Sequence, residues 1–144
     1  MNMHRATQAY QQINISSEIE HASPHRLISM LFEGALKQTA TAKGALSRND
    51  IEARGLAISR AIAIVGELQA CLRDLETNPV SANLFALYEY VLRCLIEANV
   101  QGNLDKLDEV LNILVEIKSG WDAIPEEQRT AIKKENNNPS SVNP

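Results

Sequence analysis

From Leu84 to Val100 the chain reads LFALYEYVLRCLIEANV. Leu84, Leu87, Tyr88, Val91, Leu92 and Leu95 recur at helical spacing, which puts them on one stripe of an α-helix. Phe85 and Ile96 widen that stripe on one side, Leu87 and Cys94 on the other. At about 100° of turn per residue the apolar arc covers roughly 200°. A helix that buries one face in one core needs only somewhat more than about 100°. The stretch must therefore be helical, and it carries more apolar surface than one small core uses.

The rest of the chain repeats the pattern. Ser23-Pro24 reads as a helix start, with Ser23 capping the first free N–H groups and Pro24 at a position that needs no donor. The spacing predicts a helix from Pro24 to about Ser47, with Leu27, Leu31, Ala35, Ala42 and Leu46 as its main stripe. Gly34 and the small residues from Thr39 to Ala45 allow close approach of another helix. Ser47-Arg48-Asn49-Asp50 is a turn, with Asn49 or Asp50 as the next cap. A second helix is predicted from Ile51 to Leu75, ended by Thr77-Asn78-Pro79. The third is predicted to begin at Ser81 or Ala82 and to stop at Gly102. Asn103 caps a fourth, from Leu104 to about Ala123, whose stripe is Leu107, Val110, Leu111, Leu114 and Trp121. Ile113, Ile117 and Ile124 extend one of its shoulders, Leu104 and Val115 the other.

No stretch alternates apolar and polar residues as a strand would. Four long helices with short connections predict an all-α fold, an antiparallel four-helix bundle. Residues 1–22 read as an N-terminal arm that Tyr10 could anchor, residues 23–135 as the bundle domain, and residues 136–144 as a disordered tail. Pro125-Glu126-Glu127 supplies a start signal for a short fifth helix through Lys134.

Charge and composition remove whole classes of partner. The chain has 14 Lys+Arg against 18 Asp+Glu, a net charge of −4, with no basic block. Neither nucleic acid nor an anionic membrane surface is the expected partner. The apolar runs are short and broken by charges, so no membrane-spanning segment is expected. The first residues lack the apolar core of a secretory signal, and the expected compartment is the cytoplasm. Cys71 and Cys94 each sit in an apolar helical stretch and are expected as buried free thiols.

A catalytic constellation is missing. All three histidines, His4, His21 and His25, lie at or before the first helix start. His21 and His25 have the i, i+4 spacing of a metal pair, but Pro24 breaks that turn. Glu18-Ile19-Glu20-His21 holds one Glu-x-x-His where a di-iron bundle needs two. The helices carry no histidine for a phosphorelay, and no phosphate-cradling glycine loop or nucleophile elbow is present. No cofactor or metal is expected, and no enzyme. Among single residues, Asn99 has two readings: a satisfied structural amide near a helix end, or an amide that pairs with the backbone of a bound peptide. Tyr90 points away from the main stripe and reads as an ordinary exposed tyrosine.

Helices two to four thus share apolar arcs near or above 180°, and the outer part of each would face water. The chain's own arm, a second copy or a client helix could cover it. A binding module fits this surplus better than an enzyme does.

The same segments resemble a known family. Ala22-Ser23-Pro24, Leu27-Ile28 and Met30-Leu31-Phe32-Glu33-Gly34-Ala35 look like the first helix of the flagellar export chaperone family FliS. Asn83-Leu84, Leu87-Tyr88, Tyr90 and Leu95-Ile96-Glu97-Ala98-Asn99 fit its third helix, and Glu109-Val110 and Trp121 its fourth. Gln8-Ala9-Tyr10-Gln11-Gln12 is similar to its opening tyrosine motif. The chain departs from the family pattern at Asn78-Pro79 in place of a glycine pair, at Phe32, at Gly120 and at Thr7. The resemblance implies a cytosolic chaperone for the disordered C-terminal segment of flagellin. The client would lie in apolar grooves, kept from polymerising and ready for type III export. It also implies docking to an export-gate component, with Tyr10 of the arm involved in client handling. On that reading the expected contacts are Tyr10, the shoulder residues Ile64, Cys71, Cys94, Ile113 and Ile117, and the amide of Asn99. The alternative is a helical adaptor whose grooves make a homodimer.

Overall fold

The computed structural model describes residues 22–124. Four helices follow one another: α1 Pro24–Ser47, α2 Ile51–Ala70, α3 Pro79–Gln101 and α4 Leu104–Asp122. No strand occurs among the described residues. Residues 28–124 form one compact unit. Of the second unit, residues 1–27 and 125–144, only residues 22–27 are described. There Ser23 Oγ accepts from the Arg26 N–H at 3.1 Å, as the cap signal requires. Most of the expected arm, the expected fifth helix and the tail lie outside the described residues.

The caps account for most boundaries. Asp50 accepts from the Ala53 N–H at 3.1 Å and starts α2, after Asn49 has turned the chain at φ 57°. Gly102 closes α3 in the left-handed region at φ 62°, and Asn103 accepts from the Asp105 N–H at 3.0 Å to start α4. The α2–α3 connection differs from expectation. α2 stops at Ala70 instead of Leu75, and α3 starts at Pro79 instead of Ser81 or Ala82. Asp74 turns the chain at φ 58°, and its carbonyl accepts from the Thr77 and Asn78 N–H groups. Asn78 is extended, as a residue before proline should be, and in that conformation its side chain caps the Val80 N–H at 3.0 Å. The dipeptide opens α3, whereas α2 has already ended at Ala70.

Named contacts set the topology. Arg54 meets Asn99 and Gln69 meets Glu89, so α2 and α3 run antiparallel. Glu97 pairs with Lys106 and Tyr90 with Glu109, which makes α3 and α4 antiparallel. Lys43 pairs with Asp108 at 2.8 Å and the Ser29 hydroxyl donates to Asp122 at 2.9 Å, setting α1 antiparallel to α4. α1 closes on α2 where a Cβ on Gly34 would stand 3.3 Å from Ile64 Cδ1. The result is an up-down-up-down bundle.

The core is built from Phe32, Ile58, Val65, Leu68, Val91, Leu95, Leu107, Val110 and Leu114, all fully buried. α1 contributes Phe32 and the small residues Ala35, Thr39, Ala42 and Ala45 to the buried set. The one buried hydroxyl among them, Thr39, donates back to the Ala35 carbonyl at 2.8 Å and so costs no unpaired donor. On α3 the most deeply buried line is Tyr88, Val91, Cys94, Leu95 and Ala98. Leu84 and Leu92 of the expected stripe pack against it, half-buried.

Candidate functional site

Among the described helices, α3 is the one packed closely against two neighbours, α2 on one flank and α4 on the other. The flank towards α4 is closed. The Tyr90 hydroxyl donates to Glu109, and Glu97 reaches Lys106 at 3.4 Å. Tyr90 is therefore half-buried and packed on the core rather than an ordinary exposed tyrosine. The hydrogen bond to Glu109, then one to Cys94, holds its phenol well above the usual range.

The flank towards α2 is tied only at its ends. At one end Gln69 Nε2 donates to Glu89 at 2.7 Å and to the Phe85 carbonyl at 3.3 Å. At the other, Arg54 Nη2 donates to the Asn99 carbonyl at 3.0 Å and its Nε to Asn99 Oδ1 at 3.4 Å. Ten residues separate Glu89 from Asn99, about 15 Å of helix. Between the ties α3 presents Leu92, half-buried, and Ile96, 52% exposed. α2 offers Ile62, and Gly66, where an added Cβ would meet nothing within 4 Å. Beyond the Arg54 tie Val100 is 79% and Ile51 69% exposed. Phe85 is exposed at the opposite end. Together these residues make a shallow apolar trough with the open Gly66 on its α2 side and polar groups at both ends. Such a surface suits an amphipathic segment whose side chains fill the trough.

The expected contact residues do not all lie on it. Tyr10 is outside the described residues. Ile64 is half-buried over Gly34, on the α1 side of α2. Ile113 and Ile117 are half-buried and pack on the core. Asn99 stands at the end of the trough. Cys71 is exposed, contrary to the expectation of a buried thiol, and partial desolvation still raises its pKa. Cys94 is the clear correction. It is 1% exposed and part of the core, because the α3 stripe is rotated towards α4 relative to the sequence reading. A side chain in that position cannot meet a client without unpacking the bundle.

Sequence reasoning gave no contact role to Ile51, Arg54 or Val100, and left open which of the shoulder residues Phe85, Ile96, Leu87 and Cys94 a client touches. Phe85 and Ile96 were visible as one shoulder of the arc, with nothing to rank it above the other. Arg54 looked like ordinary polar-face charge. Antiparallel pairing across the 71–78 connection is the signal that would have set position 54 opposite position 99. On α4 the more exposed shoulder is Leu104 and Val115, the latter 53% exposed on the side of Asp108 and α1.

The four helices and the exposed apolar edge define a helical bundle with a surface open to a partner, and comparison with known proteins gives the family. The sequence profile of the family described as "Flagellar protein FliS" matches residues 6–128. The chain is 42% identical over 120 residues to the flagellar secretion chaperone FliSB of Pseudomonas aeruginosa, covering 83% of this chain and 95% of that protein. It is 33% identical over 125 residues to the flagellar secretion chaperone FliS of Vibrio cholerae, covering 87% and 92%. Against its counterpart in Salmonella typhimurium it is 37% identical over 117 residues, covering 81% and 87%. The chain belongs to the FliS family, a family of flagellar chaperones and not of enzymes. No helix among the described residues is long and apolar enough to cross a membrane.

Proposed function

We propose that this protein is a cytoplasmic export chaperone that binds the disordered C-terminal segment of flagellin, prevents its premature polymerisation and delivers it to the flagellar type III export apparatus. The supporting observation is the uncovered apolar trough between α2 and α3, on a chain whose relatives are flagellar secretion chaperones. The client folds against the bundle, and burial of its apolar face offsets the cost of ordering it. Ile96, Leu92, Phe85 and Ile62 form the trough contacts. Asn99 closes it at one end, and Ile64, Cys71, Ile113 and Ile117 are secondary contacts on the neighbouring edges. Tyr10 belongs to the same client-handling role and to docking at an export-gate component.

Titration with flagellin, and with flagellin truncated at its C-terminal segment, tests the reading. Binding to the first and not the second is expected. Equal binding to both, or to neither, contradicts it. Aspartate at Ile113 or Ile117 is expected to weaken binding with helical content kept; unfolding would assign both to the core. The same apolar edge fits a second copy of the chain, and a tight obligate dimer in sedimentation without client would favour a homodimeric adaptor.

A further inference from the structure

At the C-terminal end of α3 the last carbonyls need partners outside the helix. Ala98 has them in the Gly102 and Asn103 N–H groups. Asn99 has Arg54, whose guanidinium reaches across from the first turn of α2 to its carbonyl at 3.0 Å and its side-chain oxygen at 3.4 Å. A guanidinium has donors and no acceptor. Its chemistry therefore selects the amide oxygen of Asn99 and turns Nδ2, with its two N–H groups, the other way. On the α2 side the residue beside the half-buried Asn99 side chain is Gly55, where an added Cβ would lie 3.9 Å from Oδ1. Ile96 lies one turn before Asn99, and the exposed Val100 and Ile51 flank it. The side chain is thus a donor with a fixed direction at the edge of an apolar surface.

We infer that Arg54 is a positioning residue that aims the Asn99 amide outwards, so that Nδ2 donates to a backbone carbonyl of the segment bound in the α2–α3 trough. This rests on the client-binding reading above. Apolar contacts fix that a segment binds but leave its register free to slide. A single donor at one end fixes the register, because a segment folding as a helix leaves its last carbonyls without internal partners. An amide held in place loses no rotamer freedom when the client arrives.

The test separates positioning from mere capping. Asn99→Asp keeps the acceptor that Arg54 needs, and strengthens it, since a charged acceptor on a guanidinium is the stronger pair. It also replaces the outward donor with a carboxylate oxygen facing the client's carbonyl. The expected result is a melting temperature equal to or above that of the unsubstituted protein, with affinity for a peptide of the flagellin C-terminal segment about tenfold weaker. Asn99→Ala, which has neither group, should bind as weakly. Arg54→Lys should lose part of the affinity, because one ammonium cannot serve both oxygens as the fork does. In the Asn99→Asp background Arg54→Lys should cost no further affinity. Binding of Asn99→Asp and Asn99→Ala within about twofold of the unsubstituted protein would overturn the inference. Absence of peptide binding by the unsubstituted protein would instead overturn the client-binding reading, and this inference with it.

Discussion

The two flanks of α3 begin from equivalent sequence and end as opposites. Cys94 and Ile96 each stand at a shoulder of the same apolar arc, yet one is core and the other is surface. The α4 flank carries its polar ties on either side of Cys94, at Tyr90–Glu109 and Glu97–Lys106, and these seal the seam over it. The α2 flank carries its ties at the two ends, at Gln69–Glu89 and Arg54–Asn99, with glycine between them. An apolar shoulder becomes core or docking surface according to where the neighbouring helix places its polar groups and whether its facing residues have bulk. Hydrophobicity alone does not separate the two outcomes.

The largest effect that would break this contrast is on the sealed flank. Cys94→Asp should cost about 3 kcal/mol or more, because it buries a charge in the core beside a Tyr90 hydroxyl already donated to Glu109. Loss of the cooperative thermal transition checks it. A variant folded like the unsubstituted protein would mean that Cys94 can reach solvent.

Glycine substitutions compare the open flank with the closed parts of the bundle. Gly66→Ala adds a methyl group to open space in a helix interior and should stabilise by up to about 1 kcal/mol, while narrowing the trough and weakening client binding. Gly34→Ala gains the same propensity but must displace Ile64, 3.3 Å away, so its net effect should be smaller or reversed. Gly102→Ala should destabilise by about 1 kcal/mol, since its φ of 62° disfavours a Cβ. Urea midpoints of the three variants give the ranking, and equal shifts would contradict it.

The two tyrosines of α3 sharpen the comparison by pH. Burial, and secondarily Cys71, pushes the Tyr88 phenol up to about 12 from an ordinary 10.0. Its folded pKa lies above its unfolded one, so its contribution to stability is complete below pH 10 and drains away as pH rises through about 12. Urea unfolding across that window should show the decline, and Tyr88→Phe should flatten it. Tyr90 is held up by its hydrogen bond to Glu109 instead. Tyr90→Phe should therefore have the smallest effect by the same assay, since Glu109 can turn to water. A larger loss would mean that the α4 seam is tied more tightly than its partial exposure implies.

Much of the architecture was legible in the sequence because it rests on local rules. Ser23-Pro24, Asp50, Gly102 and Asn103 mark boundaries through single hydrogen bonds or one backbone angle, and periodicity marks the helices between them. The α2 end was misplaced because apolar spacing continues to Leu75, whereas the helix stops at Ala70 and Asp74 turns the chain at φ 58°; Leu72 still packs on the core from outside the helix. The candidate site was less legible. A helical wheel shows an arc but not which shoulder is sealed, since that depends on residues of two other helices. Asn99 stood out as a polar residue among apolar ones; its partner Arg54 did not, because forty-five positions separate them along the chain.

Ile96 and Val115 give the most direct test of the claim that the α2 flank of α3 is the client surface. Their exposure is nearly equal, but Ile96 borders the trough and Val115 faces the α1 side of α4. Aspartate at each should leave the fold intact. The account predicts that Ile96→Asp weakens binding of the flagellin C-terminal segment by more than about tenfold while Val115→Asp leaves it near that of the unsubstituted protein. Equal losses, or a larger loss at Val115, would contradict it.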